Sequence, residues 1–274
     1  MKLSWLESLI YGVISGLTEF LPVSSVAHQA IVLKLFGAEQ LPFLQFCASL
    51  GCLVALLLVS VPTLLRLRRE QKIASIPRSR RRRPPDVNAL MENRVLRMAA
   101  LTTLVVFIGY SLVYNLYERL WILAGFMAVN GIILFLPPYM TGANKGARSL
   151  SSLDALLIGL AAGVGMIPGI SRIGSAISIA RIRGTDRRYA ADLALLISIP
   201  ALVVLTVIQL FGAVAATAWS GMLVLCGITV LVAAFGAGYL GIYFLRFLAY
   251  KAGYSGFAYY CWGAALFTLL LYLI

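Results

Sequence analysis

Apolar stretches of about twenty residues recur along this chain, at 43–65, 98–114, 120–139, 190–212, 221–245 and 255–274. No other feature limits its folding so tightly. A bilayer hydrocarbon core about 30 Å thick is crossed by roughly 20 apolar residues in a helix, since each residue rises about 1.5 Å. Six stretches therefore predict six transmembrane helices in an all-α integral membrane fold. Composition points the same way: 61% of the 274 residues are hydrophobic and 12% are charged, which is more apolar surface than a soluble core can cover. Residues 3–36 contain no short apolar core followed by a small-residue cleavage site, so a retained N-terminus is expected. Cys47, Cys52, Cys226 and Cys261 sit in apolar surroundings without CxxC or Cys/His spacing and read as small core residues rather than disulfides or a zinc site.

The formal net charge of +13, with a run of arginines at 78 and 80–83, resembles a nucleic-acid patch when taken alone. Its position argues for a different role. The run lies in a proline-containing linker between two apolar stretches, where Lys and Arg mark the cytoplasmic side and attract anionic lipid headgroups. No nucleic acid is expected as a partner. Of the 23 Lys and Arg residues, 19 fall in the loops 66–97, 140–152, 181–189 and 246–254. All four loops share the cytoplasmic side only if the segments 5–36 and 153–181 each enter and leave by one face.

Those two segments are interrupted midway, by Pro22 in the first and by Pro168, Gly169 and Gly174 in the second, and helices break at such residues. Each is therefore expected to be a re-entrant hairpin of two half-helices. Broken backbone at membrane depth survives only where protein or a wet cavity satisfies it. The segments also resemble each other: Leu6, Glu7, Leu9, Ile10, Gly12 and Gly16 align with Leu153, Asp154, Leu156, Leu157, Gly159 and Gly163, and after one deletion Pro22 and Ser25 align with Pro168 and Ser171. The four glycines read as close-packing positions, Glu7 and Asp154 as interfacial residues. The expected organisation is a single membrane domain, 1–274, made of two inverted repeats. Repeat one, 1–140, holds hairpin 5–36 and three spans with the basic cytoplasmic loop 66–97; repeat two, 150–274, holds hairpin 153–181 and three spans. Substrate sites are commonly built where such broken helices meet near the midplane.

Polar residues cluster at both breaks. The first hairpin carries Thr18, Glu19, Ser24, Ser25 and His28 around Pro22; the second carries Ser171, Arg172, Ser175 and Ser178 after Gly169. Ionisable groups at this depth cost about 2.5–3.5 kcal/mol or more unless paired or hydrated, so they are functional candidates by default. A guanidinium, hydroxyls and helix N-termini together suit a phosphate. A carboxylate beside them repels a phosphate unless a divalent cation bridges the two, which makes Glu19 a candidate ligand for Mg²⁺ or Ca²⁺. His28, the single histidine, suits a base, nucleophile or acid. The simpler readings stay open: an Arg172–Glu19 structural ion pair, a packed histidine, and serines that only cap the broken ends.

Residues 16–28, G-L-T-E-F-L-P-V-S-S-V-A-H, with 168–178, P-G-I-S-R-I-G-S-A-I-S, and the R-R-Y-A-A-D of 187–192, resemble the signature regions of the undecaprenyl-diphosphate phosphatase family of the bacitracin-resistance type. The resemblance implies a hydrolase of the bacterial inner membrane that removes the terminal phosphate of undecaprenyl diphosphate and recycles the cell-wall lipid carrier, with its site facing the periplasm. It implies Glu19, Ser25, His28 and Arg172 as catalytic residues, Glu19 as the metal ligand, and Ser24, Ser25, Gly169, Ser171 and Arg172 as phosphate-binding residues. The chain departs from the family pattern at Ser15, Gln45, Ser49, Ile173 and Ala176. Ser15 replaces the first acidic residue of an E-x-x-x-E motif. A polyprenyl-phosphate carrier of the same fold with weakened hydrolysis is the alternative, a structural or regulatory protein with a degenerate site is a third reading, and a homodimer is a possible assembly.

Overall fold

The computed structural model describes residues 3–39, 41–111, 119–137, 144–216, 220–251 and 253–273. The expected span ends at 112–114, 138–139 and 274, and part of the basic loop at 140–143, lie outside the described residues. The fold is all-helical. In chain order the helices are α1 (Trp5–Phe20), α2 (Ser25–Leu35), α3 (Pro42–Ser75), α4 (Val87–Ser111), α5 (Leu120–Phe135), α6 (Ser152–Val164), α7 (Arg172–Ile182), α8 (Arg187–Ala216), α9 (Gly221–Lys251) and α10 (Gly256–Leu273). Both expected breaks are present, at 21–24 and 165–171. Four helices, α3, α8, α9 and α10, are long and apolar enough to cross a membrane, as expected of a multi-pass membrane protein. Among the described residues the count on that measure is four; α4 carries Glu92, Arg94 and Arg97, and α5 is described over 16 residues.

The linker 66–97 is mostly helix. α3 continues past its apolar part to Ser75 and α4 begins at Val87, leaving only 76–86 between them, with a single 3-10 turn at Arg78–Arg80. Arg, Glu, Lys and Gln are good helix formers, and the two extensions are tied side by side by Arg66–Glu92 at 2.6 Å and Asn93–Gln71 at 3.1 Å. Arg83 donates twice to the buried Glu70, at 2.5 and 3.0 Å, and fastens the connection to α3.

The first helix of each hairpin starts on a capping box: Ser4 with Glu7 in α1, Ser151 with Asp154 in α6. Each side-chain oxygen takes one otherwise unpaired N–H of the first turn. Asp154 is 1% exposed and paired with Arg183 at 2.5 Å and Lys145 at 3.7 Å. α1 lies on α9 and α6 on α4; α3 also lies on α9 and α8 on α4, while α5 and α10 pack on each other. At the first two contacts glycine sets the approach. A Cβ on Gly16 would strike the Ala234 carbonyl, and one on Gly159 the Ala99 carbonyl, so only glycine lets these backbones meet.

Gly16→Val should lower the unfolding free energy by about 1–3 kcal/mol, the usual cost of forcing extra methyl groups into a packed contact. Denaturant titration in detergent checks this, and an unchanged midpoint would mean that α1 and α9 tolerate separation.

Candidate active site where two broken helices meet

Ser24 is the N-cap of α2 and Ser171 the N-cap of α7; their hydroxyls accept from Ala27 N at 3.4 Å and Gly174 N at 3.1 Å. The structure thus corrects the alignment read from sequence, in which Ser25 was opposite Ser171: Ser24 is the counterpart, and no deletion is needed. It follows that Ser25 and Arg172 hold the same place, each the first residue of its half-helix.

The two breaks are stitched together. Gly169 N–H donates to Ser24 Oγ at 2.9 Å and Ser171 Oγ donates to Leu21 O at 3.3 Å. Asn130 of α5, fully buried, spans both: its Oδ1 accepts from Ser171 N at 2.9 Å and its Nδ2 donates to Pro22 O at 3.2 Å. Sequence reasoning missed Asn130, although an amide inside a run of apolar residues is itself a signal. Of the residues expected to hold phosphate, Gly169 and Ser24 have groups committed to this scaffold. The first-turn N–H groups of Ser25, Val26, Arg172 and Ile173 have no hydrogen-bond partner among the described residues, so two helix N-termini keep donors for an anion.

These N-termini border a cleft of about 50 Å³, lined among others by Glu19, Ser24, Ser25, Met166, Ser171 and Arg172. By size it holds a few waters. Arg172 is 7% exposed, and its guanidinium reaches Glu19 Oε1 at 2.5 Å, Ser198 Oγ at 3.1 Å and Met166 Sδ at 3.5 Å. The ion pair crosses from one hairpin to the other. Ser25 Oγ makes two long contacts, donating to Ser15 O and accepting from Gln29 Nε2, each at 3.4 Å, and stays close to free. Ser15 itself turns its hydroxyl back to Tyr11 O at 2.7 Å and does not line the cleft.

His28 also stands outside that lining. Its Nδ1 is 2.6 Å from Ser24 O, a carbonyl that can only accept, so Nδ1 carries the hydrogen; Nε2 lies 2.7 Å from Tyr260 Oη, and the rings stack at 5.7 Å. Both nitrogens are engaged. Neither Tyr260 nor Ser198 was visible as a site residue in the sequence, where each is one of many. No cluster of three or more His, Cys, Asp or Glu side chains exists among the described residues. Glu19 is the single carboxylate of the cleft and one of its oxygens is taken by Arg172. The chain's own residues therefore do not fit a resident divalent cation, which takes six or more oxygen ligands.

Asn130→Ala strands the Ser171 N–H and the Pro22 carbonyl in an enclosed place, at about 1–3 kcal/mol per group. The unfolding free energy should fall by about 2–5 kcal/mol, read from thermal or denaturant melts in detergent; unchanged melting would show that the breaks hold together without it.

Comparison with known proteins agrees with the geometry. The sequence profile of the bacitracin resistance protein BacA family matches residues 8–267. The undecaprenyl-diphosphatase of Desulfatibacillum aliphaticivorans is 34% identical over 94% of this chain and 95% of its own length. The enzyme of that name from Renibacterium salmoninarum is 32% identical over 98% and 96%, and that from Carboxydothermus hydrogenoformans 30% over 93% of each. This match along nearly the whole chain identifies the protein as a member of the bacitracin resistance protein BacA family.

Proposed function

We propose that the chain hydrolyses undecaprenyl diphosphate to undecaprenyl phosphate and inorganic phosphate, recycling the lipid carrier of cell-wall synthesis. The observation that carries this reading is Arg172: a buried guanidinium on the first turn of α7, facing a cleft where a second helix also begins. Charge developing on the transferred phosphoryl group is met there by a planar fork of donors and by N–H groups fixed in place before reaction, in surroundings that screen poorly. Water's oxygen ends on the terminal phosphorus and the bond from that phosphorus to the bridging oxygen breaks. The leaving lipid phosphate is already an anion and needs no proton. The attack comes either from water directly or from Ser25 through a phosphoserine that water then clears. Glu19, released from Arg172 as phosphate takes its place, accepts the proton. His28 reaches the site through Ser24, whose carbonyl accepts its Nδ1–H.

A divalent cation arriving with the diphosphate would neutralise phosphate charge in the cleft, leaving Glu19 as the proton acceptor. The relatives' names favour hydrolysis over the carrier alternative. The exchange of packing partners, α1 on α9 against α6 on α4 and α3 on α9 against α8 on α4, supports an inverted repeat with six spans and two re-entrant hairpins. The loop charges then favour a site opening to the periplasmic side of the bacterial inner membrane, with the basic loops and their anionic lipids inside.

Arg172→Ala should lower phosphate release from undecaprenyl diphosphate by roughly 10²–10³-fold, the range for losing a donor to transition-state charge, and Arg172→Lys should recover little because one ammonium cannot replace the fork. Wild-type turnover in Arg172→Ala would overturn the assignment. Chelator should stop phosphate release, while substrate-free protein dialysed against Mg²⁺ should retain none; a tightly held equivalent would contradict delivery with the substrate.

A further inference from the structure

Ten residues beyond its start, α7 ends at a second polar cavity. About 14 Å separates Arg172 from Arg181 along the helix at 1.5 Å per residue, about half the thickness of the hydrocarbon core. The cavity holds about 140 Å³ and is lined by Arg181, Arg187, Tyr254 and Ser255, with Leu134 and Ile177 among its apolar walls. Neither arginine has a carboxylate partner among the described residues. Arg181 spends one donor on Thr185 O at 2.7 Å. The nearby acid, Asp186, turns Oδ1 to the N–H groups of Arg188 and Tyr189 at 2.9 and 3.0 Å. Ser255 and Tyr254 precede the first turn of the 18-residue α10, whose leading N–H groups lend partial positive charge. Tyr254 is 9% exposed, and its enclosed hydroxyl has no hydrogen-bond partner among the described residues.

We propose that this cavity is a second phosphate site, separate from the catalytic cleft and on the face of the basic loops, taking a phosphomonoester or inorganic phosphate between Arg181, Arg187 and the start of α10. Two guanidiniums recognise such a group by bidentate donation, and the apolar wall suits a lipid chain leaving it. The site does not depend on the chain being a phosphatase.

The test uses full-length Arg172→Ala protein in detergent, so that the catalytic cleft loses its main phosphate ligand, and measures binding of farnesyl monophosphate and of inorganic phosphate calorimetrically. Saturable binding of the lipid probe with inorganic phosphate much weaker assigns the site to a lipid headgroup; comparable binding of both assigns it to free phosphate. Adding Arg187→Gln should weaken binding at least tenfold. No binding of either probe by protein with wild-type melting, or binding indifferent to Arg187→Gln, would overturn the proposal. Phosphate release by otherwise unmodified Arg187→Gln protein is measured separately, so failure of the second site is distinguishable from failure of the hydrolytic reading.

Discussion

Buried backbone is cut off from water and has only the hydrogen-bond partners that the chain itself supplies, and everything around the breaks at 21–24 and 165–171 follows from that. An unpaired buried N–H or C=O costs about 1–3 kcal/mol, so a chain that stops two helices in its own interior has to supply substitutes for the bonds it forgoes. Ser24 and Ser171 supply them twice over, each capping its own half-helix and bonding to the opposite break. Asn130 closes the arrangement from a third element. Once these groups are paired, the N–H donors remaining at the starts of α2 and α7 are held at fixed positions, and Ser25 and Arg172 emerge beside them because each follows a capping serine. Scaffold and chemistry are thus successive residues of the same turn.

Much of this was legible in the sequence. Pro22, Pro168 and Gly169 announced where helices stop, and the glycines announced where helices touch, because both signals are local and steric. The convergence of Glu19 and Arg172 followed from cost, since neither charge can face lipid alone. The register of the caps was not legible: two adjacent serines, Ser24 and Ser25, give the same pattern, and only backbone direction separates the capping residue from the first helical one. Ser198 and Tyr260 were hidden for a related reason. A hydroxyl in an apolar helix is common, and its partner across more than twenty residues of chain leaves no mark in the sequence. The extension of α3 and α4 beyond the bilayer-length stretches was obscured by charge, which signals a loop in a membrane protein but favours helix once opposite charges pair across two neighbouring helices.

The glycine contacts carry a further lesson on how the halves are held. α1 is seated by Gly16 against α9, and α6 by Gly159 against α4, so each hairpin rests on a helix from the far part of the chain. Neither hairpin's first helix can shift without moving the element that supports it, and the cleft between them inherits that rigidity.

The Arg172–Glu19 contact has a consequence for selectivity. Before substrate arrives, the carboxylate occupies the seat an anion wants, and the cleft is electrically quiet, with space only for water. Glu19 is therefore a tethered competitor whose local concentration never falls. A ligand gains entry by out-bidding it for the guanidinium, which favours a headgroup of high charge density over a singly charged one. On the proposed hydrolytic reading, discrimination between a diphosphate and its monophosphate product would rest on this internal rival as well as on the shape of the pocket.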